Sequence, residues 1–238
     1  DYILDLVGQA VQRNVKAMQL FTGRFSETGR EEDVELEGRL REAIDKAGIR
    51  LIGPNCMGVL NPAHGMSFRR DMSHQAGGVG FLSQSGNLLF EITHFGEPRG
   101  LRFSKAVSYG NALDLDETDF IEYFARDPET KVIGAYVEGV RDGRRFLAAL
   151  KRASAKKPVV VLKGGRTSAG GRAAASHTAA LAGASRVWEA ALTQSGALAV
   201  DTVEDLIDML IAFSYMRPGS GKRVGMVGAG GGRSVLTA

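Results

Sequence analysis

An α/β fold built on parallel sheet is the prediction, and three features of the sequence carry it. Short apolar segments alternate with amphipathic ones of helical period along most of the chain, the repetition of a βαβ protein. The apolar segments, PVVVL at 158–162 most plainly, do not alternate with polar residues, as strands covered on both faces need not. Every glycine-rich segment follows one of these strands, where parallel sheets hold their ligands.

The elements follow in order. A short helix at 2–12 leads to a strand at 15–21, a TGRFSETG loop, and a Glu/Arg-rich helix near 31–47 with Val34, Leu36, Leu40, Ala43, Ile44 and Ala47 toward a core. Gly48 stops that helix and 49–52 is the next strand. Residues 53–77 show no period and read as a long loop and linker. The pattern restarts with a strand in GGVGFLS, a helix from SGNLLFEITHFG and a strand in LRFSKAVSY. Asp116 caps a helix through Arg126, with Asp119 in its first turn. A strand at 131–137, a helix at 143–154 and the strand at 158–162 follow. A small-residue loop then crosses to a helix near 184–195, and a helix at 202–214 carries Val203, Leu206, Ile207, Leu210 and Ile211 on one stripe. Asp201 with Glu204 resembles an acidic capping box for it. A further strand is expected at 223–227. The chain opens on aspartate inside an apolar-periodic segment and closes in the first turn after that last strand, so it reads as a piece of a longer polypeptide.

Composition excludes several classes. With 44% hydrophobic and 24% charged residues the 238-residue chain is not disordered, and its 31 glycines lack the collagen period. No run reaches the ~18 apolar residues of a membrane span, and no signal peptide opens it. One cysteine, Cys56, excludes an intrachain disulfide and thiolate-rich metal sites; a reduced cytoplasmic setting is expected. The histidines at 64, 74, 94 and 177 never flank a glutamate at helical spacing, and no metal site is expected. Thirty basic residues against 27 acidic leave little to neutralise a phosphate backbone. The densest basic stretch, 141–157, reads as the outer face of a helix, so neither nucleic acid nor membrane is an expected partner.

Four segments carry chemistry. Ser83-Gln84-Ser85-Gly86 joins a strand to a helix, where free amides and two hydroxyls either cap the helix or hold an anion. Neither serine has the GxSxG frame of a hydrolase elbow. His177, in a loop of alanine, serine and glycine, is either a plain surface or core histidine or a nucleophile toward phosphorus. His94, inside a helix, is expected on or near its packed face. Glu138 ends a strand in YVEGV, either solvated or placed to accept from an imidazole N–H. Gly53-Pro54-Asn55-Cys56-Met57-Gly58 reads as a rigid turn, without a basic neighbour to activate Cys56.

Taken in order, that turn, Ser83-Gln84-Ser85-Gly86, Gly110-Asn111 with Asp114, Tyr136-Val137-Glu138-Gly139 and Ser176-His177-Thr178 resemble the NDP-forming acyl-CoA synthetases. That superfamily includes ADP-forming acetate–CoA ligase and the alpha subunit of succinyl-CoA synthetase. The resemblance spans essentially the whole chain. It implies that residues 1–72 are the carboxyl part of a CoA-binding Rossmann-like domain, 73–220 a flavodoxin-like ligase domain, and 221–238 the start of a second such domain. It implies a phosphohistidine at His177, oriented by Glu138, with Ser83, Ser85 and Gly86 holding the phosphoryl group. Asn55 and Asn111 match motif positions near the acyl-CoA thioester.

The implied reaction interconverts acyl-CoA, phosphate and ADP with carboxylic acid, CoA and ATP. It uses CoA as cofactor, and ATP or ADP with Mg2+ on an ATP-grasp domain in cis or in a partner subunit, in an oligomer. The succinate enzyme's alpha subunit has a basic residue at the place of Gln84 and a proline at that of Met57. Those differences lean toward acetate or a larger acyl group. The alternative within the resemblance is the acyl-CoA-sensing region of a protein lysine acetyltransferase, and outside it a CoA-binding module without chemistry.

Overall fold

Two sheets of unequal size organise the chain in a computed structural model, which describes residues 2–165, 185–216 and 221. The smaller is a parallel pair, β1 (Ala17–Gln19) and β2 (Arg50–Ile52), with helices α1 (Tyr2–Gln12) and α2 (Glu31–Ala47). Glu31, Glu32 and Asp33 lie at the positive end of the α2 dipole, and Gly48 ends the helix at φ 65°, as its sequence predicts. Leu40 and Ile44 of α2 are fully buried against Leu51, Leu20, Phe25 and Val7.

The larger sheet holds β3 (Gly58–Leu60), β4 (Ala76–Ser83), β5 (Phe103–Ser108), β6 (Val132–Val137), β7 (Val159–Lys163) and β8 (Leu198–Val200). Their spatial order is β3-β5-β4-β6-β7-β8. All neighbours are parallel except β3, which runs antiparallel to β5 with Val59 opposite Val107. Residues 53–77 are therefore not the featureless linker the sequence suggests, and the sheet is mixed at that edge. A three-residue strand is too short for its period to register, and its partner lies far away in the sequence. β8 escaped the sequence reading for the same reason.

Helices cover both faces. The first in this unit, α3 (Gly86–Gly96), and the last, which we number α7 (Val203–Tyr215), pack Leu89, Ile92, Leu206 and Leu210 on Val79, Phe81, Val160 and Leu162. On the opposite face α4 (Glu117–Arg126), α5 (Gly143–Ser154) and α6 (Ser185–Ser195) place Ile121, Phe124, Phe146, Leu150 and Trp188 on Leu82, Ile133, Ala135 and Val161. Asp116 caps α4 and Asp119 returns the bond to the Asp116 amide, a reciprocal box. The cap of α7 is Thr202, whose hydroxyl accepts from the Asp205 amide at 3.0 Å, one residue beyond the expected Asp201–Glu204 pair. The basic charges of α5 are partly spent on α4: Arg145 pairs with Asp116 and Asp119, and Arg152 with Glu122. His94 sits on the solvent side of α3, not the packed side, stacked near Phe90 and Phe95. The buried set Leu89, Ile92, Thr93 and Gly96 points the other way. The strand expected at 223–227 lies outside the described residues.

β4 is the first strand of the parallel set. The chain steps from it to β5 on one side, then returns to lay β6 on the other. The direction of winding thus reverses between β4 and β6, and a crevice opens there at the carboxyl ends of the strands.

The loop after β5 joins the two sheets. Asn111 N donates to Pro54 O at 3.0 Å and Leu113 N to Gly53 O at 3.0 Å, while Asp114 Oδ2 accepts from Leu51 N at 2.8 Å. Leu113 buries itself in the core of the smaller sheet. Gly110 makes this approach possible: at φ 53°, a Cβ there would lie 2.2 Å from the carbonyl oxygens of both Pro54 and Asn55. Gly110→Ala is accordingly expected to lower stability by at least about 2 kcal/mol, through the left-handed backbone and the backbone clash together. Urea unfolding of variant and parent checks this. An unchanged midpoint would mean the seam relaxes without cost.

Candidate functional site at the strand-order reversal

At the reversal, β4 runs out through Ser83-Gln84-Ser85 into α3. Ser83 is fully buried, and its hydroxyl donates to Ser85 O at 2.6 Å and accepts from Ser85 N at 3.1 Å. Its part in this geometry is to shape the turn. Ser85 caps α3, its Oγ accepting from Leu88 N at 3.3 Å, which leaves the hydroxyl proton to donate elsewhere. Gly86 is the first helical residue, so its amide is among those α3 leaves without a partner of its own. Ser85 and Gly86 thus present donors at the positive end of a helix, whereas Ser83 turns inward.

Glu138 follows β6 directly, across the crevice. Its amide donates to Gln84 Oε1 at 2.7 Å, and the Gly139 amide donates to the same oxygen at 3.2 Å. Its carbonyl accepts from Lys163 Nζ at 2.8 Å. Its Oε1 accepts from the Tyr136 hydroxyl at 3.1 Å, and burial beside Glu138 pushes that phenol well above its ordinary value. The other carboxylate oxygen, Oε2, is buried and has no partner among the described residues. A buried carboxylate oxygen without a donor is costly, so this atom is a place for a donor from outside the described residues.

Gln84 is 6% exposed and spends its side-chain oxygen on the β6 end. Its identity therefore bears on how Glu138 is held. Sequence reasoning missed the parts played by Gln84, Tyr136 and Lys163. The one available signal was a lysine closing the otherwise apolar run of β7.

Asn55 and Asn111 come together at the sheet seam. Asn111 Oδ1 accepts from Asn55 Nδ2 at 3.3 Å, and Asn111 Nδ2 donates to Glu27 Oε2 at 2.6 Å and Glu37 Oε2 at 2.9 Å. Both carboxylates also gather the loop after β1: Glu27 accepts from the Arg24 and Phe25 amides, and Glu37 from Ser26. Asn111 is 4% exposed with its side chain spent in this network. Cys56 is buried beneath the turn, donates to Leu20 O at 3.3 Å, and is pushed by burial up to about 12, so it is no thiolate nucleophile. His177 lies outside the described residues. Among those residues no three His, Cys, Asp or Glu side chains group to hold a metal ion.

Beside the crevice, Tyr109 and Glu117 are buried, with the Tyr109 hydroxyl and Glu117 Oε1 lacking hydrogen-bond partners among the described residues. Burial, with Asp116 adjacent, pushes the Glu117 carboxyl up to about 7.

Residues 76–213 match the succinyl-CoA ligase like flavodoxin domain family. Over 227 residues the chain is 42% identical to the alpha subunit of acetate–CoA ligase [ADP-forming] II of Pyrococcus furiosus, covering 95% of this chain and 49% of that protein. It is 39% identical to acetate–CoA ligase [ADP-forming] of Methanocaldococcus jannaschii, covering 95% of this chain and 32% of the relative. Among solved structures, dinucleotide forming acetyl-coenzyme A synthetase 1 of Ca. Korarchaeum cryptofilum, in complex with phosphate and ADP, superposes with a TM-score of 0.85 at 37% identity. That match covers 92% of this chain and 47% of the other. The chain belongs to the NDP-forming acyl-CoA synthetase superfamily, whose ligase domain carries the flavodoxin-like sheet described above. It spans a third to a half of the length of these relatives.

The buried Glu117 sets a pH dependence whose sign follows from linkage. Its carboxyl binds a proton more tightly in the folded chain than in the unfolded one. The stability this lends is complete below the unfolded value, 4.5, and is lost as pH rises through about 7. Glu117→Gln has no such loss, so between pH 4.5 and pH 8 it should gain about 3 kcal/mol on the parent. Urea unfolding of both across that window checks it. A constant difference would show that Glu117 is not held protonated.

Proposed function

We propose that this chain is the CoA-ligase part of an ADP-forming acid–CoA ligase working through a phosphohistidine at His177. Residues 1–72 would be the carboxyl part of its CoA-binding domain, with β3 lent to the neighbouring sheet. Residues 73–220 would be the phosphohistidine-bearing ligase domain, and 221–238 would open a second flavodoxin-like domain. The nucleotide and its Mg2+ belong, on this reading, to an ATP-grasp domain in cis or in a partner subunit. CoA lies against the smaller sheet, near the Asn55 turn and the Asn111 loop that orders it.

The reaction has three steps. A phosphate oxygen attacks the thioester carbonyl and the C–S bond breaks, giving acyl phosphate and CoA. Neutral His177 then attacks phosphorus, and the carboxylate leaves. Finally ADP takes the phosphoryl group, giving ATP. In the second step the ring nitrogen that attacks is made more nucleophilic when its other N–H donates to a carboxylate, which also offsets the positive charge forming on the ring. Ser85 and the Gly86 amide would meet the phosphoryl oxygens with the partial positive charge of a helix start.

One observation carries this reading: Glu138 Oε2 has no hydrogen-bond partner among the described residues, and it is buried at the strand-order reversal across from a helix start. The relatives support it, since the Korarchaeum structure holds phosphate and ADP and the Pyrococcus and Methanocaldococcus proteins are ADP-forming acetate–CoA ligases.

The full-length protein, incubated with γ-labelled ATP and Mg2+, should take acid-labile, base-stable label. His177→Ala should abolish it, and histidine-linked label surviving in that variant would overturn the assignment. Glu138→Gln keeps an acceptor oxygen but loses the charge. A charge-assisted bond contributes about 1.5–3 kcal/mol, so rapid-quench labelling should slow about 10- to 100-fold. An unchanged rate would leave Glu138 as a strand end only.

A further inference from the structure

Lys163 is an unusual residue to find where it is. It closes β7 after four buried apolar residues, and it is itself buried. Removing an ammonium from water is costly, and here burial lowers its proton affinity below the ordinary lysine value. Surface electrostatics would gain nothing from such a placement. What the side chain does instead is specific. Its Nζ donates to Glu138 O at 2.8 Å and to Gly164 O, and it sits 5.1 Å from the centre of the Trp188 ring. Val137 and Lys163 are register partners, so the ammonium reaches one residue past its own rung to tie the ends of β6 and β7 together.

Together with Gln84 and Tyr136, this accounts for the Glu138 amide, carbonyl and Oε1. Lys163 supplies the only one of these contacts that carries a full charge. Among the described residues, the ionisable groups that face it are Glu138 at the end of β6, Tyr136 within β6, and Glu189 on α6, which lines the same small cavity as Lys163 and Trp188.

We propose that Lys163 is a positioning residue for phosphoryl transfer: it pins the Glu138 main chain and places a buried positive charge beside it, so that the carboxylate is held in one place at the end of β6. This rests on the reading of Glu138 as the partner of the phosphohistidine. Lys163 touches no reacting atom and acts through Glu138 alone. Its contribution is therefore confined to the rate of transfer.

The test uses the full-length enzyme with its nucleotide-binding part. Lys163→Met keeps the length and apolar stem and removes the charge and donors. It should slow rapid-quench labelling of His177 from ATP at least tenfold while leaving the KM for CoA within about twofold. In a Glu138→Gln background the same substitution should have little further effect, since the group it acts through is already uncharged. Lys163→Gln, which suits a polar slot better, is measured in parallel and should show the same coupling. Circular dichroism and thermal unfolding identify whichever variant is folded. Labelling at the parental rate in a folded variant, a KM for CoA that rises in step with the loss of rate, or effects that add fully with Glu138→Gln would each overturn the proposal. A parent that takes no label on His177 would overturn the functional reading and this inference with it, so the two failures are told apart by the parent.

Discussion

The winding of the larger sheet reverses between β4 and β6, and the rest of the site depends on that reversal. Two adjacent strands whose connections leave in opposite directions cannot have their carboxyl ends covered by one crossover, so a crevice is left between them. Into it the chain directs a helix start from one side and a glutamate from the other. Gln84 closes the base of this crevice by giving one oxygen to two successive amides, those of Glu138 and Gly139. The helix start and the strand end are thus one bonded unit and not two loops that happen to meet.

Energetically the crevice is arranged around unsatisfied groups. Glu138 Oε2, Glu117 Oε1 and the Tyr109 hydroxyl are all buried without a hydrogen-bond partner among the described residues, in a region that also holds a buried lysine. Folding alone would favour apolar replacements at such positions. Their presence side by side fits a region arranged for a bound group and its charge. The seam between the sheets has the opposite character: Asn111, Glu27, Glu37 and Asp114 are fully engaged, and they build a stiff platform. A rigid platform under a polar crevice is what catalysis by positioning requires.

Much of the candidate site was legible in the sequence because its residues sit in local motifs. Ser85 as a cap, Glu138 at a strand end and the glycines after strands follow from neighbours a few positions away. Asn111 was singled out as well, but its partners Glu27 and Glu37 lie far off in the chain, so its engagement in the seam was not. Gln84 was noticed for its lack of charge, but its bonds to the Glu138 and Gly139 amides were not legible, because those partners lie more than fifty residues away in the chain.

What the sequence determined by itself is the fold class and most of its elements. Hydrophobic period and capping are short-range properties, so the helices at 31–47, 86–96, 117–126, 143–154 and 203–215 and the long buried strands declared themselves. Only the tertiary structure decided the edge strand β3, whose three residues earn their place by pairing with β5. It alone decided the strand order that makes the crevice, and the inward turn of Ser83 and Gln84. It also decided the meeting of Lys163 with the Glu138 carbonyl. These are long-range pairings between groups that carry no local signature, and their energies exist only once the sheet has brought the strand ends together.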